Sequence, residues 1–319
     1  MYFGSDTTFD IVSWNIEWFP KNNNTASKVQ EIITNLEADV YALQEIEDTT
    51  ILKQVVSNMP GYECYFKSSY YGGLAYVYNT NTLQINSKYE IFTSQSYWNA
   101  FPRSPQVLDC DFMGKNYIII NNHFKCCGDG ILNINNSNDE ENRRLQAVTF
   151  LKQYIDNNFS AKSVILLGDL NDELTDNSLN NVFQAFIVDN TNYLFTDIQI
   201  AQGNSIDWSY PTWPSHLDHI LITNELFSDF QNSNSLTSVI RVDDYMGSWS
   251  NYENNVSDHR PIGLKLDVNN LTYIPNIINT ENRVVKFLDI LGREVMNKKS
   301  GLIFKIYDDG TVEKNIILD

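Results

Sequence analysis

The stretch Val164-Ile165-Leu166-Leu167-Gly168-Asp169-Leu170-Asn171-Asp172 decides how this chain is read. Its branched apolar run predicts a strand buried on both faces. Gly168 breaks the run, and two ligand-type side chains follow, Asp169 and Asn171. A buried strand that ends in carboxylate and amide groups is where α/β proteins place chemistry, outside the carboxyl ends of the sheet. Taken alone, the same residues describe a strand entering an Asp/Asn turn. The question is whether other segments aim similar groups at the same point.

Several do. Phe9 to Trp18 reads as a strand carrying Asn15, an amide that needs partners in an otherwise apolar setting. Asp39 to Glu45 is a second apolar strand, ending in Gln44 and Glu45. Arg103 to Asp111 and Lys115 to Asn122 predict a hairpin about Met113-Gly114, and its second strand runs into His123. His216 to Thr223 is a strand with Asp218 near its start, and Asp258-His259 precedes a strand reaching Val268. Further strands are expected at Gly61 to Phe66, Leu74 to Tyr78, Leu83 to Phe92 and Thr237 to Val242. Helices are expected at Ala26 to Leu36, Thr50 to Met59, Asp139 to Tyr154 and Leu179 to Phe186. The last but one has the acidic first turn that the helix dipole favours. Strands alternating with helices, mixed with hairpins, predict an α/β fold with mixed sheets covered by helices.

Composition narrows the function. The 319 residues carry a formal net charge of −18 and 42% hydrophobic residues, with 18 Tyr and 17 Phe. A wide electrostatic grip on nucleic acid rests on Lys and Arg and is disfavoured here. A phosphate-ester substrate is compatible, because a bound cation can dominate the local charge. No run reaches the roughly 18 apolar residues of a membrane span, so no stable membrane insertion is expected. Met1 to Asp10 is too short and polar for a signal peptide, leaving a cytosolic protein or a removed leader. Cys64, Cys110, Cys126 and Cys127 match no zinc spacing, and buried thiols and one disulfide remain equally open.

Asn15, Glu45, His123, Asp169 with Asn171, Asp218, and Asp258 with His259 thus stand at strand ends. Their oxygens suit a hard cation, Mg²⁺ first, with Ca²⁺ or Mn²⁺ as the other candidates. The imidazoles suit proton transfer near neutral pH. Together they are a kit for metal-assisted attack of water on a phosphate ester. Each group alone has a plainer reading, as a satisfied strand amide or a turn carboxylate.

The ordered segments SWNIEWF, ALQEIED, NNHFK, LLGDLND, HLDHILI and SDHRPI, spanning Asp10 to about Val268, resemble the endonuclease/exonuclease/phosphatase superfamily, which includes deoxyribonuclease I. The resemblance implies an α/β four-layer sandwich of two mixed β-sheets flanked by helices. It places Asn15, Glu45 and Asp258 at the metal, with Glu45 the direct ligand. Asp169 would position or deprotonate the attacking water, Asn171 would hold a phosphate oxygen, and His259, oriented by Asp218, would contact the phosphate. His123 would act opposite His259, as in the deoxyribonuclease-like and sphingomyelinase-like branches. Arg103 and Tyr76 are the expected substrate-phosphate contacts, Tyr76 the weaker. Arg143 and Arg144 read as a solvated helix face, and His216 and His219 as structural, His219 on the strand face opposite Asp218.

Composition changes after Leu271. The division expected is a catalytic domain over 1–270, a linker over 271–283 and a small all-β module over 284–319. FLDILGREV with KKSGLIFKIYDDGTVEKNIIL resembles the sorting domain of the type IX secretion system, though without a clear Pro-Asn-Pro opening. That resemblance implies a secreted or cell-surface protein, a signal segment once preceding Phe3, and the secretion machinery as a partner. A monomer is expected. The functions in play are a metal-dependent endonuclease with nucleic acid as substrate, an exported phosphatase or sphingomyelinase-like phosphodiesterase, and a non-catalytic binding module. An exposed aromatic loop for lipid contact would come from Tyr70-Tyr71 or Trp208 to Trp213.

Overall fold

The computed structural model describes residues 2–67, 73–268, 284–289, 293–295, 301–307 and 312–317. The chain divides into two compact units, Met1–Leu271 and Thr272–Asp319. In the first, period-two alternation of apolar residues sorts twelve strands into two sheets. One has the order β11 (Leu236–Val239), β12 (Ile262–Asp267), β1 (Thr8–Phe19), β2 (Val40–Ile46), β4 (Gly73–Asn79), β3 (Tyr62–Tyr65). The other runs β5 (Leu83–Glu90), β6 (Gln106–Phe112), β7 (Lys115–His123), β8 (Val164–Asp169), β10 (Asp218–Thr223), β9 (Tyr193–Phe195). The pairs β1–β2 and β7–β8 are parallel and their neighbours antiparallel, so both sheets are mixed.

The sheets pack face to face. Phe9, Ile11, Val40, Ala42, Tyr76 and Tyr78 from one meet Leu108, Tyr117, Ile165, Leu167, Ile220 and Ile222 from the other. The opposite faces are buried too, which is why the central strands read as continuous apolar runs. Val12, Trp14, Tyr41 and Leu43 pack under helices α1 (Thr25–Leu36) and α2 (Thr49–Ser57). Ile118, Ile120, Val164 and Leu166 pack under α3 (Glu140–Asn158). Asp48 caps α2 by accepting from Thr50 N and Ile51 N, and Asp139 caps α3 by accepting from Asn142 N. Four layers result, helix–sheet–sheet–helix, as expected. The Met113-Gly114 hairpin also forms, both residues at positive φ (48° and 79°) as a two-residue turn requires.

One expected helix is absent. Leu179 to Phe186 is mostly turn, with a single helical stretch at Gln184–Ile187, and Leu179 is 84% exposed. The Asn side chains account for this. Asn177 Oδ1 accepts from Leu179 N at 3.1 Å and Asn181 Oδ1 accepts from Phe183 N at 2.8 Å, diverting the amides a helix would need.

The second unit contains an antiparallel sheet of β13 (Val284–Leu288), β14 (Gly301–Tyr307) and β15 (Val312–Ile317). The linker residues 271–283, Leu291-Gly292, Asp309-Gly310 and Tyr70-Tyr71 lie outside the described residues. Among the described residues, no helix is long and apolar enough to cross a membrane.

Candidate active site

Strand directions bring the ligand-type groups to one edge of the sandwich. The carboxyl ends of β1, β2, β7 and β8 deliver Asn15, Glu45, His123 and Asp169. β10 runs antiparallel to β8, so its first residue, Asp218, pairs with Asp169. β12 runs antiparallel to β1, so the loop before it presents Asp258 and His259 at the same edge. Gly168 makes the central approach possible. It holds φ 139°, and a Cβ there would lie 1.9 Å from the Asn122 carbonyl oxygen. Only glycine lets β7 and β8 stay in the register that puts His123 beside Asp169.

Asp169 is the centre. Its Oδ2 accepts from Asn15 Nδ2 at 2.9 Å and lies 3.4 Å from His123 Nε2 and 3.8 Å from His259 Nε2. Asn15 Nδ2 also donates to Glu45 Oε1 at 3.1 Å, so one amide ties the two carboxylates together. His259 Nδ1 is 2.7 Å from Asp218 Oδ2, which fixes its tautomer and orientation. The loop carrying His259 is latched: Ser257 Oγ donates to Asn15 O at 2.6 Å, His259 N donates to Ser257 Oγ at 2.9 Å, and Tyr252 donates to the His259 carbonyl. Tyr210 covers the His259 ring at 4.7 Å. Strained backbone gathers here, with Trp18, Glu45 and Asn171 at φ 53°, 63° and 54°. The cost is offset in part where Trp18 N donates to Glu45 Oε2 at 3.1 Å and Asn171 N to Asp169 Oδ1 at 3.2 Å.

The charges follow from these neighbours. Burial pushes the Asp169 carboxyl up to about 7; Asp218 and Glu45 reinforce the shift, and His259 and Asn15 oppose it. Burial also pushes Asp258 up to about 6, reinforced by Glu17 and Glu45 and opposed by His259 and Lys21. Burial holds His123 well below the usual imidazole range, with Arg103 and His259 adding to the effect. Burial works against charging His259, yet Asp218 and Asp169 outweigh it and hold His259 well above that range. A neutral imidazole and an imidazolium thus flank one buried carboxyl group. Glu17 and Glu45 act electrostatically on Asp258, and Glu45 on Asp169, while Lys21 pairs with Glu17; the carboxylate oxygens gathered here are of the hard type that a divalent ion takes.

Most expected site residues converge, and two expectations, on Tyr76 and Arg144, need correction. Tyr76 is fully buried between the sheets, its hydroxyl engaged with Asn121 N and the carbonyls of Gln106 and Ile119 at 2.9 Å each, so it faces no substrate. Asn15 turns its amide nitrogen toward Glu45 and Asp169 and accepts at Oδ1 from Glu17 N at 3.0 Å, which puts it beside the expected direct ligand Glu45. Arg144 is buried instead of solvated, pairing with Asp172 at 2.7 Å and Glu141 at 3.1 Å. Arg103 is half-buried and acts electrostatically on His123. Glu17, Tyr210 and Ser257 were not anticipated. Each lies in a stretch the sequence singled out, Glu17 in SWNIEWF, Tyr210 in Trp208 to Trp213 and Ser257 at the opening of the SDHRP turn, but none had been given a role.

A second cluster lies behind the first. Asp197 Oδ2 is 3.1 Å from His216 Nε2 and 2.6 Å from His219 Nδ1, while His219 Nε2 lies 2.9 Å from Asp172 O. All three residues are buried, as the structural reading of the two histidines expects. Among the described residues, these three and the set Asp169, Asp218 and His259 are the groups whose ligand atoms lie within 4.8 Å of one another.

Comparison with known families places this edge. The model of the endonuclease/exonuclease/phosphatase family matches residues 12–259. The chain belongs to that family. It is accordingly a phosphoric ester hydrolase, and its acidic and histidine groups fit the divalent-metal dependence general in the family. Comparison with curated proteins gave no match. Solved structures similar to this family member include D. rerio TDP2 complexed with single strand DNA product, at 15% identity and TM-score 0.58, covering 82% of this chain and 99% of that one. The human Nocturnin catalytic domain with bound sulfate anion is 16% identical at TM-score 0.57, covering 81% and 93%. An endonuclease/exonuclease/phosphatase from Bacteroides vulgatus is 12% identical at TM-score 0.57, covering 82% and 99%. At these identities the likeness concerns the fold.

Proposed function

We propose that the protein is an exported, divalent-metal-dependent phosphodiesterase that cleaves nucleic acid as an endonuclease. The observation that carries the reading is the pair of imidazoles of opposite charge state on either side of Asp169. The single-stranded DNA product in the TDP2 complex supports a nucleic-acid substrate by fold likeness. Glu45 and Asp258 are assigned to hold the metal, Mg²⁺ before Ca²⁺ or Mn²⁺, with Asn15 fixing Glu45. A bound divalent ion supplies Lewis-acid polarisation of a phosphate oxygen. His259, kept charged by Asp218, donates from Nε2 to a second phosphate oxygen. Asp169, with its carboxyl near neutrality, accepts the proton of the attacking water. Asn171 and Arg103 hold the remaining phosphate oxygens, and neutral His123 offers Nε2 on the side opposite His259. A second reading, a phosphatase or phospholipid phosphodiesterase, is favoured by the net charge of −18, which opposes long polyanions.

Export rests on the resemblance of 284–319 to a type IX sorting domain. Removing 284–319 is expected to retain the protein inside a type IX-competent host. Normal export of the shortened chain would refute that part. For the substrate, supercoiled plasmid, sphingomyelin and phosphorylated inositol are incubated in parallel with Mg²⁺, with and without EDTA. Metal-dependent nicking is expected. Lipid or monoester turnover without nicking would replace the nuclease reading by the second one.

A further inference from the structure

The loop leaving β7 carries a pair of groups that hydrolysis does not use. Cys126 and Cys127 are both exposed free thiols, and the Cys127 thiol donates toward Cys126 Sγ at 3.1 Å. Lys125 Nζ sits 3.6 Å from Cys126 Sγ and donates to the Cys126 carbonyl at 2.8 Å. Both sulfurs are therefore open to a small reagent from solvent, with an ammonium group beside them. Cys110 is buried in the core and Cys64 lies half-buried on β3, so neither offers a comparable surface thiol.

The pair is also tied to the active site. Arg144 Nη1 donates to the carbonyls flanking it, Lys125 O at 2.8 Å and Cys127 O at 2.7 Å. Arg144 Nε in turn pairs with Asp172, the residue after Asn171. On the other side of the loop, the Phe124 carbonyl accepts from Asn171 Nδ2 at 3.4 Å, and Phe124 N donates to Asp169 O at 2.9 Å. A change in backbone geometry at Cys126-Cys127 therefore reaches the Asp169–Asp172 turn through Arg144 and through Phe124.

We propose that Cys126 and Cys127 form a thiol–disulfide exchange site for low-molecular-weight disulfides, and that closing a disulfide between them lowers hydrolysis. Cys126, after losing its proton to solvent, attacks one sulfur of the reagent, whose S–S bond breaks and expels one thiolate. Cys127, after losing its proton to solvent, attacks the Cys126 sulfur of the mixed disulfide and expels the second. The two protein thiols lose two electrons and two protons, and the reagent disulfide is reduced to two thiols. Adjacent Cα atoms are about 3.8 Å apart across a trans peptide, below the roughly 4.4–6.8 Å of ordinary bridges, so closure must rearrange the backbone and stays easily reducible. The second half of the proposal rests on the family's hydrolytic activity and not on the nuclease reading.

The test treats the full chain with oxidised glutathione. Trypsin releases both cysteines in one peptide, Cys126–Arg143, because Lys125 precedes them. That peptide is expected to lose two hydrogens in mass and to regain them with dithiothreitol. Cys127→Ser is expected to stop at a glutathione adduct on Cys126. Metal-supported hydrolysis of bis-nitrophenyl phosphate is expected to fall several-fold on closure and recover on reduction, while a Cys126→Ser/Cys127→Ser double variant ignores the reagent. Unreacted thiols, or wild-type protein arrested as an adduct, would overturn the exchange site. A closed peptide with unchanged hydrolysis would overturn the coupling, and a substrate other than nucleic acid would leave both results standing.

Discussion

Asp218 and His219 are neighbours on β10, and because strand side chains alternate they open onto two different clusters. On one face, Asp218 orients His259 beside Asp169. On the other, His219 and His216 share Asp197. The groups are of the same kind, a buried carboxylate with imidazoles, yet their hydrogen-bond accounts differ. In the second cluster Asp197 Oδ1 accepts from Ile220 N, Oδ2 meets both rings, His219 Nε2 reaches the Asp172 carbonyl and His216 Nδ1 accepts from Ser209 N. In the first, His123 Nδ1 and Asp218 Oδ1 have no hydrogen-bond partner among the described residues, and His259 Nε2 stands 3.8 Å from Asp169 Oδ2. Saturated valences lower the free energy of one arrangement and make it structural. Open valences leave the other able to bind and move protons.

The largest expected separation between the clusters comes from deleting one imidazole in the first. His259→Ala is expected to lower kcat by roughly 10²- to 10⁴-fold, the usual range for a general acid–base group, a loss that remains after correction for the folded fraction. Retained activity would break the assignment of chemistry to this cluster. Asp197→Ala should do the reverse. It leaves two buried imidazoles without their carboxylate and is expected to cost about 3–5 kcal/mol in urea unfolding, while the folded fraction still turns over. An unchanged midpoint would dissolve the contrast.

A smaller effect concerns pH. Burial opposes ionisation of Asp197, but His219 and His216 outweigh it and hold its pKa low; burial likewise opposes charging His219, and Asp197 outweighs it and holds that pKa high. The stability from Asp197 is present above its unfolded value of about 3.9 and lost as pH falls through the lower folded value. That from His219 is complete below about 6.5 and lost as pH rises through the higher folded value. The advantage of wild type over His219→Gln in urea unfolding should therefore be greatest between about pH 4 and 6.5 and shrink toward alkaline pH. A difference that stays constant from about pH 4 to alkaline pH would mean that His219 stays neutral. The smallest expected change is Tyr210→Leu, which removes the ring over His259. A stacking contribution of about 0.5–1.5 kcal/mol corresponds to a fall in kcat of roughly 2- to 10-fold. No change would make Tyr210 a mere cover.

The active-site edge was legible because each strand announces its own end. Apolar runs stop at Asn15, Glu45, His123 and Asp169, and parallel or antiparallel pairing then puts those ends together. What sequence pattern cannot reach is the use to which a polar atom is put once buried. Tyr76 looked available until its hydroxyl met three backbone groups of the facing sheet, and Arg144 looked solvated until Asp172 and Glu141 drew it in. Asp197 was invisible for a related reason. It follows the three-residue strand β9 in a region of turns, and its partners lie about twenty residues on. Leu179 to Phe186 carried helical spacing, but the neighbouring asparagines redirected its amides.

The Ser257 latch on the Asn15 carbonyl joins residues 242 positions apart, and β1 pairs with β12 over nearly the full length of the first unit. Half of the site therefore waits on the last strand of the sandwich. During synthesis, a ribosome that has delivered Asn15, Glu45, His123 and Asp169 has made four components of a hydrolase but no hydrolase. The imidazolium, the edge that seats it and the closing strand arrive together near the end. On the roles proposed for Asp258 and His259, a chain that stalls earlier, or is clipped before residue 259, is expected to lack hydrolytic activity. For an enzyme that attacks phosphate esters, this order of assembly means that cutting power reports a finished fold, and that the cell making it meets no active fragment.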